Sequence, residues 1–208
     1  MGVTAGWRYE NHALVGLSVL ALIASGIAPF DRLTWVMETL PVMVGVPLLM
    51  ATRRRFPLTP LVYRLLFIHG LVLLLGGAYT YARVPLGFWM QEAFDLARNH
   101  YDRLGHLAQG FIPAMLTREI LLRKTPLRPG GWLVLLTTSV VLAFSASYEL
   151  IEWWAALAIG ADADAFLATQ GDVWDTQWDM FMALLGALMA QTWLSRLHDR
   201  QLTRLRSS

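Results

Sequence analysis

Three short pairs of side chains carry the chemistry legible in this sequence. The segment Tyr101-Asp102-Arg103-Leu104-Gly105-His106-Leu107-Ala108-Gln109 places Asp102 and His106 four residues apart, on one face of a helix, with Gln109 three further on the same stripe. Glu149 and Glu152 are three apart, and Asp175 and Asp179 are four apart, so each pair also points one way. The pairs hold five carboxylates, and Arg103 is the one arginine close to them in sequence, with Arg83 and Arg98 as further neighbours. Such an excess of anions in a low-dielectric site either takes up protons or recruits cations. Protons held there would make an acid/base or relay site, with His106, Asp102 and Glu152 moving them. A divalent cation would make a metal site built from Asp102, His106, Glu149, Glu152, Asp175 and Asp179. Carboxylate and imidazole ligands suit Zn, Mg, Mn or Fe. The chain has no cysteine, which excludes disulfides, iron–sulfur clusters and thiolate metal sites.

Helices must hold these residues, and the composition says in what solvent. Of the 208 residues, 56% are hydrophobic and 15% charged, with a mean hydropathy of +0.46. Soluble domains carry nearer ~25% charged residues. The apolar runs recur along the whole chain, which predicts an all-α, polytopic membrane protein: one transmembrane domain, residues 1–208, of about six helices. The expected spans are His12 to Ala28, Trp35 to Thr52, Pro60 to about Ala82, Asp102 to Leu122, Trp132 to Ile159 and Trp174 to Leu197. The fourth is polar for a span. The mixed segment from Val84 to His100 reads as interfacial. A net charge of +2 gives no reason to expect nucleic acid as a partner.

Charge placement orients the bundle. With both termini cytoplasmic, the inner loops carry Arg53, Arg54, Arg55, Arg123, Lys124 and Arg128, and the inner tail carries Arg196, Arg200, Arg204 and Arg206. The outer loops carry more acid, which is the positive-inside bias. A five-span alternative, with the fourth run in the interface, would put the tail on the wrong side. Trp132 to Glu149 is a rise of ~26 Å, so Glu149 lies just inside the outer boundary of a ~30 Å core. The starts of the fourth and sixth spans reach the same depth.

Each feature also has an ordinary reading. Asp102 and Asp175 would stabilise helix N-termini. Glu149 and Glu152 would pair with Arg103 and Arg98 as structural ion pairs. His69 reads as a packing donor, and His12 and His198 as solvated inner-end residues. Asp162 and Asp164 lack the glycine and closing glutamate of a calcium loop.

The motifs around these residues are themselves distinctive. Tyr101 to Phe111, Tyr148-Glu149-Leu150-Ile151-Glu152-Trp153 and Thr169 to Met180 resemble the YjdF-like family of bacterial inner-membrane proteins, across most of the chain. A fainter likeness is to VanZ-like membrane proteins, linked to glycopeptide-antibiotic resistance. It rests on Asp102 with His106, Glu149, and Asp179 with Gly186; Ala183 stands where that pattern has Asn. The resemblance implies the fold, the inner (cytoplasmic) membrane and the choice of residues, and brings no reaction with it. Three functions follow as expectations. One is a metal-assisted membrane enzyme acting on a lipid headgroup or cell-envelope precursor. The others are a proton-coupled transporter and a non-catalytic subunit tied to membrane-protein partners. The acids sit near one face and no inverted repeat is visible, which counts against the transporter.

Overall fold

The computed structural model describes residues 2–160 and 168–206. Among these it contains seven α-helices and no strand: α1 Gly2–Gly26, α2 Arg32–Thr52, α3 Pro60–Tyr79, α4 Pro85–Phe94, α5 Tyr101–Lys124, α6 Gly131–Ile159 and α7 Asp175–Arg206. The calcium-loop residues Asp162 and Asp164 lie outside the described residues.

α2, α3, α6 and α7 are long and apolar enough to cross a membrane, and Glu10–Gly26 of α1 is a shorter apolar stretch. Their exposed surface is hydrophobic. Ile27, Phe144 and Leu157 are each more than two-thirds exposed, which a monomer in water would not tolerate as part of a continuous belt. α5 has the length of a span but not the hydropathy. It packs against α3, α6 and α7, so its polar residues turn into the bundle rather than toward lipid. Asp102, His106, Arg118 and Glu119 are all buried. The polarity of this run thus marks a helix enclosed by its neighbours, among α3, α6 and α7.

α5 and α7 form the tightest helix pair, and glycine makes it so. A Cβ on Gly110 would sit 2.0 Å from the carbonyl oxygen of Ala183, and one on Gly186 2.2 Å from that of Leu107. Small residues let membrane helix backbones meet in this way. The crossing lies one to two turns below Asp102, His106 and Asp179, and it sets their separation.

Several helix bounds differ from the sequence expectation: α1 already begins at Gly2 rather than His12 and α2 at Arg32 rather than Trp35, and two ends bear on the packing. α3 stops at Tyr79 because Thr80 and Tyr81 adopt left-handed φ angles of 56° and 47°. That turn drives the Tyr81 ring against Gly76 and Gly105, locking α3 to α5. α7 runs beyond Leu197 to Arg206 because its tail is amphipathic: His198 and Leu202, four apart, are buried while Thr203 and Arg204 face outward.

Candidate functional site

The α4–α5 connection closes one end of the bundle and fixes where α5 begins. Asn99, 1% exposed, donates from Nδ2 to the Val84 carbonyl at 3.0 Å and accepts from the Tyr101 amide at 3.0 Å. The Gln170 side chain bonds both the Asn99 carbonyl and amide, joining this connection to the segment before α7. Tyr101 donates from its hydroxyl to the Val72 carbonyl at 3.0 Å. Asp102 therefore enters the bundle on a first turn that is held from three sides.

His106 follows one turn below, with Nε2 3.6 Å from Asp102 Oδ1 and 3.9 Å from Glu149 Oε1. Asp179, one turn into α7, joins them. Asp102, His106 and Asp179 each present a ligand atom within 4.8 Å of the other two, and all three are buried. His106 Nδ1, Glu149 Oε1 and Asp179 Oδ1 have no hydrogen-bond partner although these residues are only 6%, 8% and 3% exposed. Buried polar atoms are normally satisfied, so unpartnered atoms on three residues of one buried acidic group point to a cation or a proton as their partner. Oxygen and nitrogen ligands of divalent metals lie ~2.0–2.2 Å from the ion. Atoms 3.6–3.9 Å apart reach one ion after small side-chain adjustments.

The other expected ligands are placed differently. Asp175 is buried, but Arg98 claims it: the guanidinium bonds the Asp175 carboxylate and the Thr169 carbonyl, and lies 3.6 Å from Asp172. Arg103 pairs with Asp172 at 2.6 Å and stacks over Trp178. The ordinary reading of Arg98 and Arg103 as partners of Glu149 and Glu152 is therefore corrected. Both arginines face the α7 start, since Asp172 and Asp175 flank its first turn, and among the described residues no arginine pairs with Glu149. Glu152 lines a cavity beside the cluster rather than joining the Asp102–His106–Asp179 group.

That cavity, of about 500 Å³, lies over α5 between α2 and α3 on one side and α6 on the other. Its polar end holds Glu38, Tyr81, Asp102, His106, Tyr148 and Glu152. Glu38 is a site residue that the sequence reading passed over. It is 4% exposed and accepts a 2.9 Å hydrogen bond from the Tyr148 hydroxyl. A signal existed: Glu38 is the single acid within the otherwise apolar α2, and such residues in spans mark functional positions. His69, read as a packing donor, also lines the cavity, and its Nε2 has no partner.

A second buried network, at the opposite end, corrects the reading of His198. Rather than being solvated, His198 is fully buried, with Nε2 3.0 Å from Glu119 and Nδ1 2.8 Å from Arg118. Glu119 also accepts from the Thr59 amide and hydroxyl and from Arg123. An acid on α5 and a histidine on α7, 79 residues apart, gave no local pattern from which to pair them.

Comparison with known proteins agrees with this architecture. The chain is 57% identical over 185 residues to Inner membrane protein YjdF of Escherichia coli (strain K12), covering 89% of this chain and 88% of that protein. No solved structure matches it. A family profile described as a predicted membrane protein, DUF2238, matches residues 11–200. With all-helical architecture and these matches over most of its length, the chain belongs to the DUF2238 family of membrane proteins.

Proposed function

We propose that residues 1–208 form one inner-membrane domain that binds a divalent metal ion through Asp102, His106 and Asp179, with Glu149 beside them. The carrying observation is the buried clustering of Asp102 and His106 of α5 with Asp179 of α7, Glu149 Oε1 of α6 lying 3.9 Å from His106 Nε2, together with unsatisfied atoms on His106, Glu149 and Asp179. Three acids and a histidine, with no arginine paired to them among the described residues, favour a cation there. Such an ion supplies Lewis acidity or an activated water. Around it, Glu152 and Glu38 are placed to exchange protons with a ligand in the cavity, and Tyr148 holds Glu38 in position. The substrate class that fits is a lipid headgroup or a lipid-linked envelope precursor, because the polar end of the cavity lies at headgroup depth.

Orientation follows from charge. His12 contacts Arg53 at 3.0 Å, and Arg123 bonds the Pro57 carbonyl at 2.5 Å. The Arg53–Arg55 loop, the α5 end, the His12 part of α1 and the His198 part of α7, which bonds Glu119, therefore share one end, which the positive-inside rule assigns to the cytoplasm. The metal site then faces the outer leaflet.

The test is the metal content of protein purified without chelators, comparing wild type with Asp102→Asn, His106→Ala and Asp179→Asn. About one divalent ion per chain in wild type, and loss in each variant, is expected. Wild-type protein devoid of stoichiometric metal, even after incubation with Mn²⁺ or Zn²⁺, overturns the reading.

A further inference from the structure

The cavity continues far beyond the headgroup region. On α5 its lining runs down one stripe: Asp102, His106, Gln109, Pro113, Leu116 and Ile120. From Asp102 to Ile120 is a rise of ~27 Å, and on α6 the lining from Val140 to Glu152 rises ~18 Å. Both exceed the ~15 Å that one leaflet occupies in a ~30 Å core. A second cavity of about 270 Å³ meets the first at Pro41, His69, Leu73 and Pro113 and continues to Asn11 and Arg53 at the opposite end. The space therefore reaches from the acidic end past the middle of the bundle.

Its chemistry is divided along its length. All the carboxylates lie at one end; below Gln109 the lining is apolar except for His69 and Thr117. It is also narrow: a volume of about 500 Å³ is drawn out over ~27 Å, a shape that suits a chain threaded along it rather than a compact group. The cleft also has a side opening. α2 and α6 are not packed along one another, and the Tyr148–Glu38 hydrogen bond joins them at the acidic end. Below that bond Phe144 and Ile120, 69% and 42% exposed, line the cavity from the lipid-facing surface.

We infer that this cleft binds a single-chain lipid phosphate whose tail is longer than one leaflet, of polyisoprenoid length, entering sideways between α2 and α6. The phosphate part of this inference rests on the metal reading above, since an anion would otherwise meet the Glu38, Asp102 and Glu152 carboxylates with no cation between. The tail part rests on the length, width and polarity of the cleft alone.

The test is native mass spectrometry of the full chain, loaded with Mn²⁺, against four probes: a C55 polyprenyl phosphate, the C55 polyprenol, a C15 farnesyl phosphate and dioleoyl phosphatidic acid. The C55 phosphate should be retained about tenfold or more over the C15 phosphate and over the two-chain lipid, a ratio equivalent to ~1.4 kcal/mol. Thr117→Trp, which fills the apolar half of the cleft, should abolish the chain-length preference while leaving bound Mn²⁺ unchanged. Asp179→Asn should erase the advantage of C55 phosphate over C55 polyprenol. Equal retention of C15 and C55 phosphates by wild type, or of the two-chain lipid, overturns the inference, whatever the fate of the Thr117 variant. A chain-length preference in protein that binds no Mn²⁺ would retain the tail assignment and sink the metal reading. Bound Mn²⁺ with no preference would do the reverse.

Discussion

The two ends of α5 bury comparable polar chemistry and treat it in opposite ways. At the arginine-rich end, Glu119 is 0% exposed and fully engaged, by Thr59, Arg123 and His198. Arg118 can only donate, so His198 accepts at Nδ1 and carries its proton on Nε2, aimed at Glu119. Arg118 then pairs with Asp199 at 2.8 Å. At the acidic end, Asp102, His106, Glu149 and Asp179 are equally removed from solvent, yet several of their atoms have no partner. The arginines nearest to them, Arg98 and Arg103, are spent on Asp172 and Asp175. A closed network needs nothing more and acts as a structural tie. An open one is a site, because its electrostatics are complete only when something else arrives.

Stability measurements can break this contrast. Glu119→Ala strips four donors of their acceptor, the Thr59 amide and hydroxyl, Arg123 and His198 Nε2, and leaves the partly buried Arg123 charge without its carboxylate. A loss of ~3–5 kcal/mol in unfolding free energy in mild detergent is expected. Glu149→Gln in chelator-treated protein should leave stability unchanged or raise it, since it removes one of several crowded anions. If Glu149→Gln costs as much as Glu119→Ala, the acidic end is a structural network too and the distinction fails.

A smaller effect sharpens the geometry. Gly110→Ala places a methyl group against the Ala183 backbone and forces α5 and α7 apart, for ~1–3 kcal/mol. The same displacement should lower metal occupancy, because Asp102 and His106 sit on one helix and Asp179 on the other. Full metal content in a destabilised Gly110→Ala protein would show that the crossing does not set the ligand spacing.

The smallest effect is a control outside the bundle. Asp31 caps α2 by accepting from the Thr34 amide at 2.7 Å. That backbone hydrogen bond holds its carboxyl below the usual carboxylate range. The stabilisation is therefore complete above the unfolded pKa of ~3.9 and is lost as pH falls through the lower folded value. Asp31→Ala should cost ~1 kcal/mol at pH 7. Wild type and variant should converge as the solution is acidified through that lowered folded value. A gap that persists there would show that the carboxylate charge is not what caps the helix.

Much of this was legible in the chain itself. The all-helical membrane fold follows from apolar runs of span length, because lipid accepts only backbones that satisfy their own hydrogen bonds. The pairing of Asp102 with His106 follows from helical periodicity, which makes residues four apart neighbours whatever surrounds them. Asp179 was marked by the same rule, although the rule gave Asp175 an equal claim. What periodicity cannot supply is which face of one helix meets which face of another. The assignment of Asp175 to Arg98, the recruitment of Glu38 from α2 and the burial of His198 against Glu119 all join residues far apart in sequence. Those choices were made by packing: glycines that let α5 and α7 touch, and a central helix whose polar groups had no favourable partner in lipid.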